Sequence, residues 1–70
     1  MMLTIQLKDD YIKLGQALKA AGTAGSGVDA KFMIQQGLVK VNGETEYQRG
    51  KKLYDGDRIE CSGETIQIVK

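Results

Sequence analysis

Apolar residues recur along this chain with two different periods, and the changes of period divide it into elements. The opening stretch, Met1-Met2-Leu3-Thr4-Ile5-Gln6-Leu7, settles into alternation and breaks at Lys8-Asp9-Asp10, which predicts a first strand. Asp9 or Asp10 is placed to cap a helix. Leu14, Ala17, Leu18 and Ala21 then follow the i, i+3, i+4, i+7 stripe of an amphipathic helix that Gly22 ends. Gly15 lies inside that helix and lowers its propensity by up to about 1 kcal/mol relative to alanine, so a neighbouring backbone or a ligand is expected to come close there.

Gly22-Thr23-Ala24-Gly25 turns the chain, and Ser26 with an acid three residues later, Asp29, makes a variant capping box for a second helix. Ala30, Met33 and Ile34 share one face of it, and Gly37 supplies the left-handed residue after its last turn. Leu38 to Val41 switches to period two, with Val39 and Val41 on one side and Lys40 on the other. Asn42-Gly43 is a type I′ hairpin turn, since both central positions of that turn need positive φ. A strand from Glu44 to Tyr47 is expected to return. Arg49-Gly50-Lys51-Lys52 reads as a basic loop and Leu53 as an anchor; Asp55-Gly56-Asp57 turns the chain into the strand Arg58-Ile59-Glu60-Cys61. After a turn at Ser62-Gly63, Thr65 to Val69 forms the last strand, with Ile66 and Ile68 on one face. The order of elements predicts an α+β domain, two helices packed on a small antiparallel sheet of short strands, spanning 1–70 as a single unit.

Composition narrows what such a domain does. Seventy residues, 41% of them hydrophobic and 27% charged, leave no room for a catalytic domain beside a binding domain. A single cysteine, Cys61, excludes an internal disulfide and reads as a small buried hydrophobe in a strand. Without histidine there is no Ser-His-Asp or Cys-His apparatus and none of the usual zinc ligands, so the expectation is no catalysis, no metal and no cofactor. The apolar start carries no basic leader, which predicts a cytoplasmic protein with no membrane partner. Net charge is only +1, yet its distribution is uneven: residues 11–52 hold seven basic groups (Lys13, Lys19, Lys31, Lys40, Arg49, Lys51, Lys52) against Asp29, Glu44 and Glu46, while both ends are acidic. The middle of the chain is the candidate contact region.

The block from Ser26 to Gly43, with the glycine turn at 56–57, resembles the S-four RNA-binding domain, or alpha-L motif. Ala30, Ile34, Gly37, Val39, Val41, Asn42 and Gly43 match its second helix, glycine and hairpin, and Gly56-Asp57 matches the turn before the next strand. Ser26-Gly27, Ala30-Lys31, Gly37-Leu38-Val39-Lys40-Val41, Glu46, Arg49-Gly50 and Lys52-Leu53 are similar to the stand-alone YbcJ/YaaA-like bacterial branch, whose members are this domain and little else. Gly27 and Lys13 stand where the wider family often has arginine, and Gln48 where the branch often does, which lowers the number of cations available.

The resemblance implies a non-catalytic protein that recognises structured RNA, rRNA or tRNA, in a ribosomal or precursor setting, through a basic surface of the helix pair and hairpin loop. Such recognition suits folded RNA, because A-form helices hide their major-groove base edges and offer phosphates and 2′-hydroxyls. The expected contact residues are Lys13, Ser26, Gly27, Lys31, Gln35, Lys40, Arg49, Lys51 and Lys52; of these Lys31 and Gln35 stack one turn apart on the second helix, and the Ser26-Gly27 amides lie at a helix N-terminus suited to phosphate. Gly37, Asn42, Gly43 and Gly56 are expected to serve backbone geometry alone. Phe32 lies opposite the Ala30-Ile34 stripe and is expected to be covered by the first or last strand. Tyr11, Tyr47 and Tyr54 fit either stacking or half-burial. The rival reading is a protein-interaction module of the same fold. A ubiquitin-like sulfur carrier is disfavoured because the chain ends Ile68-Val69-Lys70 rather than in the Gly-Gly that chemistry needs, and an RNA-modifying enzyme is reduced to an accessory fragment at most, because the catalytic domains that accompany S-four domains in such enzymes are absent.

Overall fold

A computed structural model describes residues 2–70; the predicted strand position of Met1 lies outside the described residues. The strands are β1 (Met2–Gln6), β2 (Ile12–Lys13), β3 (Val39–Val41), β4 (Glu44–Thr45), β5 (Lys52–Leu53), β6 (Arg58–Cys61) and β7 (Glu64–Val69), and the helices α1 (Leu14–Ala20) and α2 (Gly27–Gln35). The fold class is the expected one, two helices on a small sheet. The sheet itself is mixed rather than wholly antiparallel: in the order β1-β7-β6-β3-β4, β1 runs parallel to β7 while the other pairs are antiparallel. This parallel pair joins the two ends of the chain, a non-local pairing that alternation cannot specify.

Alternation decides which side of the sheet is covered. Ile66, Ile68, Ile59 and Val39 are fully buried, Cys61 and Val41 nearly so, and all join one core with the α1 stripe Leu14, Ala17 and Leu18 and the α2 pair Ala30 and Ile34. The opposite side is polar, with Thr4, Gln67 and Arg58 in one row and Thr65, Glu60 and Lys40 in the next. α2 ends as expected: Gly37 adopts φ 76°, its N–H donates to the Ile34 carbonyl at 3.1 Å, and the Leu38 N–H donates to the Met33 carbonyl at 3.1 Å, the paired bonds of a Schellman cap. Asn42 and Gly43 take φ 52° and 87°, as the predicted type I′ turn requires, and Ser62 and Gly63, read from the sequence only as a turn, take φ 54° and 77° in the same hand.

Three further expectations are corrected. Neither Asp9 nor Asp10 caps α1. The helix starts later, after Lys13, because Ile12 and Lys13 first pair with Leu53 and Lys52 in a small second sheet. The strand predicted to run from Glu44 to Tyr47 stops at Thr45: the Glu46 N–H still donates to the Val39 carbonyl at 3.0 Å, but its carboxylate takes the Gln48 N–H at 3.2 Å and turns the chain away. Phe32 is not covered by either strand. It is 60% exposed, since α2 meets the core through its other face, where Ala30 and Ile34 are buried.

Candidate nucleic-acid interface

The start of α1, the 49–50 turn and the start of α2 enclose an open cleft of about 330 Å³, lined by Lys13, Gly15, Gln16, Lys19, Gly27, Arg49 and Gly50. Its construction begins with the orphan amides of a helix N-terminus. The Leu14 N–H donates to the Lys51 carbonyl at 2.8 Å and the Gly15 N–H to the Arg49 carbonyl at 3.1 Å, so the basic loop caps α1 with its backbone. The Lys13 N–H is taken by Gln16 Oε1 at 3.4 Å. Close approach requires glycine at position 15. A Cβ there would stand 2.7 Å from Arg49 Cγ and 3.3 Å from its Cδ, so the Arg49 stem lies directly across the helix backbone. The close neighbour expected from the sequence at Gly15 is therefore Arg49.

Lys13, Gln16 and Lys19 fall on the side of α1 away from Leu14, Ala17 and Leu18, which turns them toward the cleft. Across it, Ser26 Oγ accepts the Asp29 N–H at 3.2 Å and leaves the Gly27 and Val28 amides without partners among the described residues. Gly27 has nothing within 4 Å of where a Cβ would be, so the N-terminus of α2 is open to an incoming group. The ion pairs among the described residues are Arg58–Glu60 and Lys70–Asp10, so Lys13, Lys19 and Arg49 line the cleft outside any ion pair. Three cations outside any ion pair and a helix N-terminus thus stand around one concavity, an arrangement whose chemistry suits an anion.

The remaining candidates are not gathered there. Lys31 and Gln35 are exposed on the outer face of α2. Lys52 stands opposite Lys13 in the β2–β5 ladder, close to the cleft rim, with its Nζ 4.9 Å above the Tyr11 ring; Tyr11 packs against Tyr54 at 6.0 Å between centroids. Two like charges directly across a ladder oppose folding. Lys51 lies beside Glu44 and Glu46, and Lys40 lies across from Glu60 and near Glu64, so each is already in an acidic neighbourhood. Sequence reasoning missed Gln16 and Lys19 as site residues. Their spacing from Lys13, three residues at a time on the side opposite the α1 stripe, was the available signal.

The hairpin end is built differently. Asn42 Oδ1 accepts the Arg58 N–H at 2.9 Å and Asn42 Nδ2 donates to Asp57 Oδ1 at 3.1 Å, while Asp57 Oδ2 accepts the Tyr54 N–H at 2.7 Å. These polar groups are spent on one another, in keeping with the structural role expected of Asn42 and Gly56.

The model of the S4 domain family matches residues 5–69, nearly the whole chain. The chain belongs to the S4 domain family. Among its relatives is a protein of Bacillus subtilis (strain 168) named "Probable ribosome maturation protein RlbA", 42% identical over 66 residues that cover 93% of each chain. Another is "Putative RNA-binding protein YbcJ" of Escherichia coli (strain K12), 35% identical over 69 residues covering 97% of this chain and 99% of YbcJ. The solution structure of YbcJ, described as revealing an alfaL motif involved in RNA-binding, superposes with a TM-score of 0.76 at 34% identity, covering all of this chain and 90% of that one. The likeness to the small stand-alone branch of the S-four family thus extends from sequence to fold.

Proposed function

We propose that this chain is a non-catalytic, single-domain cytoplasmic RNA-binding protein that holds the backbone of structured RNA, rRNA or tRNA, in the setting of ribosome maturation. The observation that carries the reading is the cleft: Lys13, Lys19 and Arg49, without acidic partners among the described residues, line it together with Gly27, at the end of α2 whose first two amides are open. A phosphate entering it meets charge and hydrogen-bond donors together, the combination that binds nucleic-acid backbone without reading base sequence. Lys52, beside Lys13, extends the cationic rim; Ser26 orders the helix N-terminus; Lys31 and Gln35 continue the surface along α2. Lys51 contributes less because Glu44 and Glu46 are close, and Lys40 least. The names carried by the relatives, one for RNA binding and one for ribosome maturation, support the same reading.

Titration of a structured rRNA hairpin at several salt concentrations tests it. Release of counterions from roughly three phosphates gives a slope of log K against log salt of about −2 to −3. Lys13→Gln, Lys19→Gln and Arg49→Gln should each reduce that slope by about one unit or less. Binding no tighter than to heparin, or a slope untouched by all three substitutions, would refute the assignment in favour of an interaction module of the same fold.

A further inference from the structure

α2 buries Ala30 and Ile34 completely, yet on its outer face it leaves Phe32 60% and Val28 76% exposed. Single exposed apolar residues are ordinary; a phenylalanine and a valine one helical turn apart form a continuous apolar strip on a face that would otherwise be polar. At 100° per residue Lys31 and Gln35 lie immediately beside this strip, so the ring is flanked by a cation and an amide. The strip begins next to the cleft, since Gly27 lines the cleft and Val28 is its neighbour in the chain. Phe32 lies five residues beyond Gly27, about 7.5 Å along the helix axis.

We propose that this face is a stacking platform for one unpaired nucleobase, with Phe32 beneath the base, Val28 toward the ribose and Lys31 and Gln35 at its edge. The inference rests on the RNA reading above and narrows it: the RNA that fits is a helix carrying a bulged or looped-out nucleotide next to the backbone held in the cleft. The reasons are chemical. An A-form duplex keeps its base faces stacked inside, so an exposed aromatic ring finds a partner only where a nucleotide is unpaired. Aromatic rings interleaved with cations are the usual surface for single-stranded nucleotides, whereas the centre of a protein–protein interface is depleted in lysine. The platform also continues directly from an anion site, which gives the flanking phosphate a place to go. Recognition would then depend on shape and on the presence of an unpaired base, with little dependence on which base it is.

The test compares two RNA hairpins that differ only by a single-nucleotide bulge, titrated against the wild-type chain, Phe32→Leu and Phe32→Trp. Phe32 is exposed enough that neither substitution disturbs the core, and circular dichroism checks that each variant folds. The wild type should bind the bulged hairpin about tenfold more tightly than the unbulged one, the effect of one stacked base. Phe32→Leu should remove that preference while leaving the affinity for the unbulged hairpin unchanged, and Phe32→Trp should keep it. Equal affinity of the wild type for both hairpins, an equal loss on both with Phe32→Leu, or a preference that survives Phe32→Leu would overturn the platform and leave the cleft standing. Binding of neither hairpin at low salt would overturn the RNA reading and the platform together. A wild-type chain that sediments as a dimer and becomes a monomer with Phe32→Leu would assign the face to a second copy instead.

Discussion

The two ends of this molecule both carry polar groups and use them in opposite ways. At the hairpin end, Asn42 and Asp57 saturate each other and the backbone of Tyr54 and Arg58, and the nearby Lys40 faces Glu60 across the ladder. At the cleft end, the backbone donors of α1 are capped by the carbonyls of Arg49 and Lys51, while the side chains of Lys13, Lys19 and Arg49 and the first amides of α2 are left over. A group that satisfies its neighbours within the fold stabilises the fold; one held rigidly without a partner is available to a ligand. The family's marks fall in both regions: Asn42 and Gly43 lie in the one that is closed on itself, while Gly27, Arg49 and Gly50 line the cleft.

Substitutions at either end probe that contrast. The largest effect is expected from reversing the cleft charges together, Lys13→Glu with Lys19→Glu and Arg49→Glu, which should weaken binding of structured RNA by about 100-fold or more at moderate salt. Urea melts of the same variant should show stability within about 1 kcal/mol of the parent, because relief of the Lys13–Lys52 repulsion offsets part of the packing lost with the Arg49 stem. The hairpin end should behave in the reverse manner. Asn42→Ala removes acceptor and donor from the Arg58 and Asp57 bonds and should cost about 1–3 kcal/mol in urea, with RNA affinity of the folded chain changed less than about twofold.

Gly15→Ala probes the wall of the cleft itself. Alanine's better helix propensity, worth up to about 1 kcal/mol, is set against the 2.7 Å contact with Arg49 Cγ, and overpacking of this kind costs about 1–3 kcal/mol. A net loss of about 1 kcal/mol by calorimetry, together with weaker RNA binding as Arg49 is displaced, is the expected pair of outcomes. Lys40→Glu, which adds a negative charge to an already acidic corner, should change RNA affinity by about twofold or less in the same titration. The smallest effect concerns the exposed Lys70–Asp10 pair at 2.8 Å. The hydrogen bond from Lys70 and its charge hold the Asp10 carboxyl below its ordinary range, and Asp10 holds the Lys70 ammonium above its own. The carboxyl's contribution is therefore present above the ordinary carboxylate range and lost as pH falls through the lowered value; the ammonium's is present below the ordinary lysine range and lost as pH rises through the raised one. Asp10→Asn should erase the carboxyl's dependence and weaken the ammonium's, which Asp55 also supports, while shifting Tm at neutral pH by roughly a degree or less, as thermal melts across pH would show.

Much of this fold was legible because local rules and global packing agree. The Leu14–Ala21 stripe, the Gly37 cap, the Asn42-Gly43 turn and the Ile66-Ile68 strand each arise from spacing or backbone sterics, and each is where the pattern puts it. The parallel β1–β7 pairing and the two-residue β2–β5 ladder were not legible, since they join distant segments and depend on tertiary packing. The delayed start of α1 is a consequence of that ladder: Ile12 and Lys13 are drawn into extended pairing before the helix can begin. Within the site, basic residues could be counted but not gathered. Of Lys13, Lys31, Lys40, Arg49, Lys51 and Lys52, only Lys13 and Arg49 line the cleft, and Lys19 joins them through a helix phase that the spacing already contained. Phe32 shows the same limit from the other side. Its position opposite the core stripe was clear, while whether anything would cover it depended on where the sheet lay.

Whether RNA meets the cleft end or the hairpin end is decided by following backbone amide resonances of the folded chain as a structured RNA hairpin is added. The largest shifts are expected at Gly15, Gln16, Lys19, Gly27, Val28 and Gly50, with Asn42, Asp57, Ser62 and Gly63 nearly unmoved. Shifts concentrated at Asn42, Gly43 and Asp57, with the cleft amides unchanged at saturation, would contradict the assignment of the cleft as the RNA-binding surface.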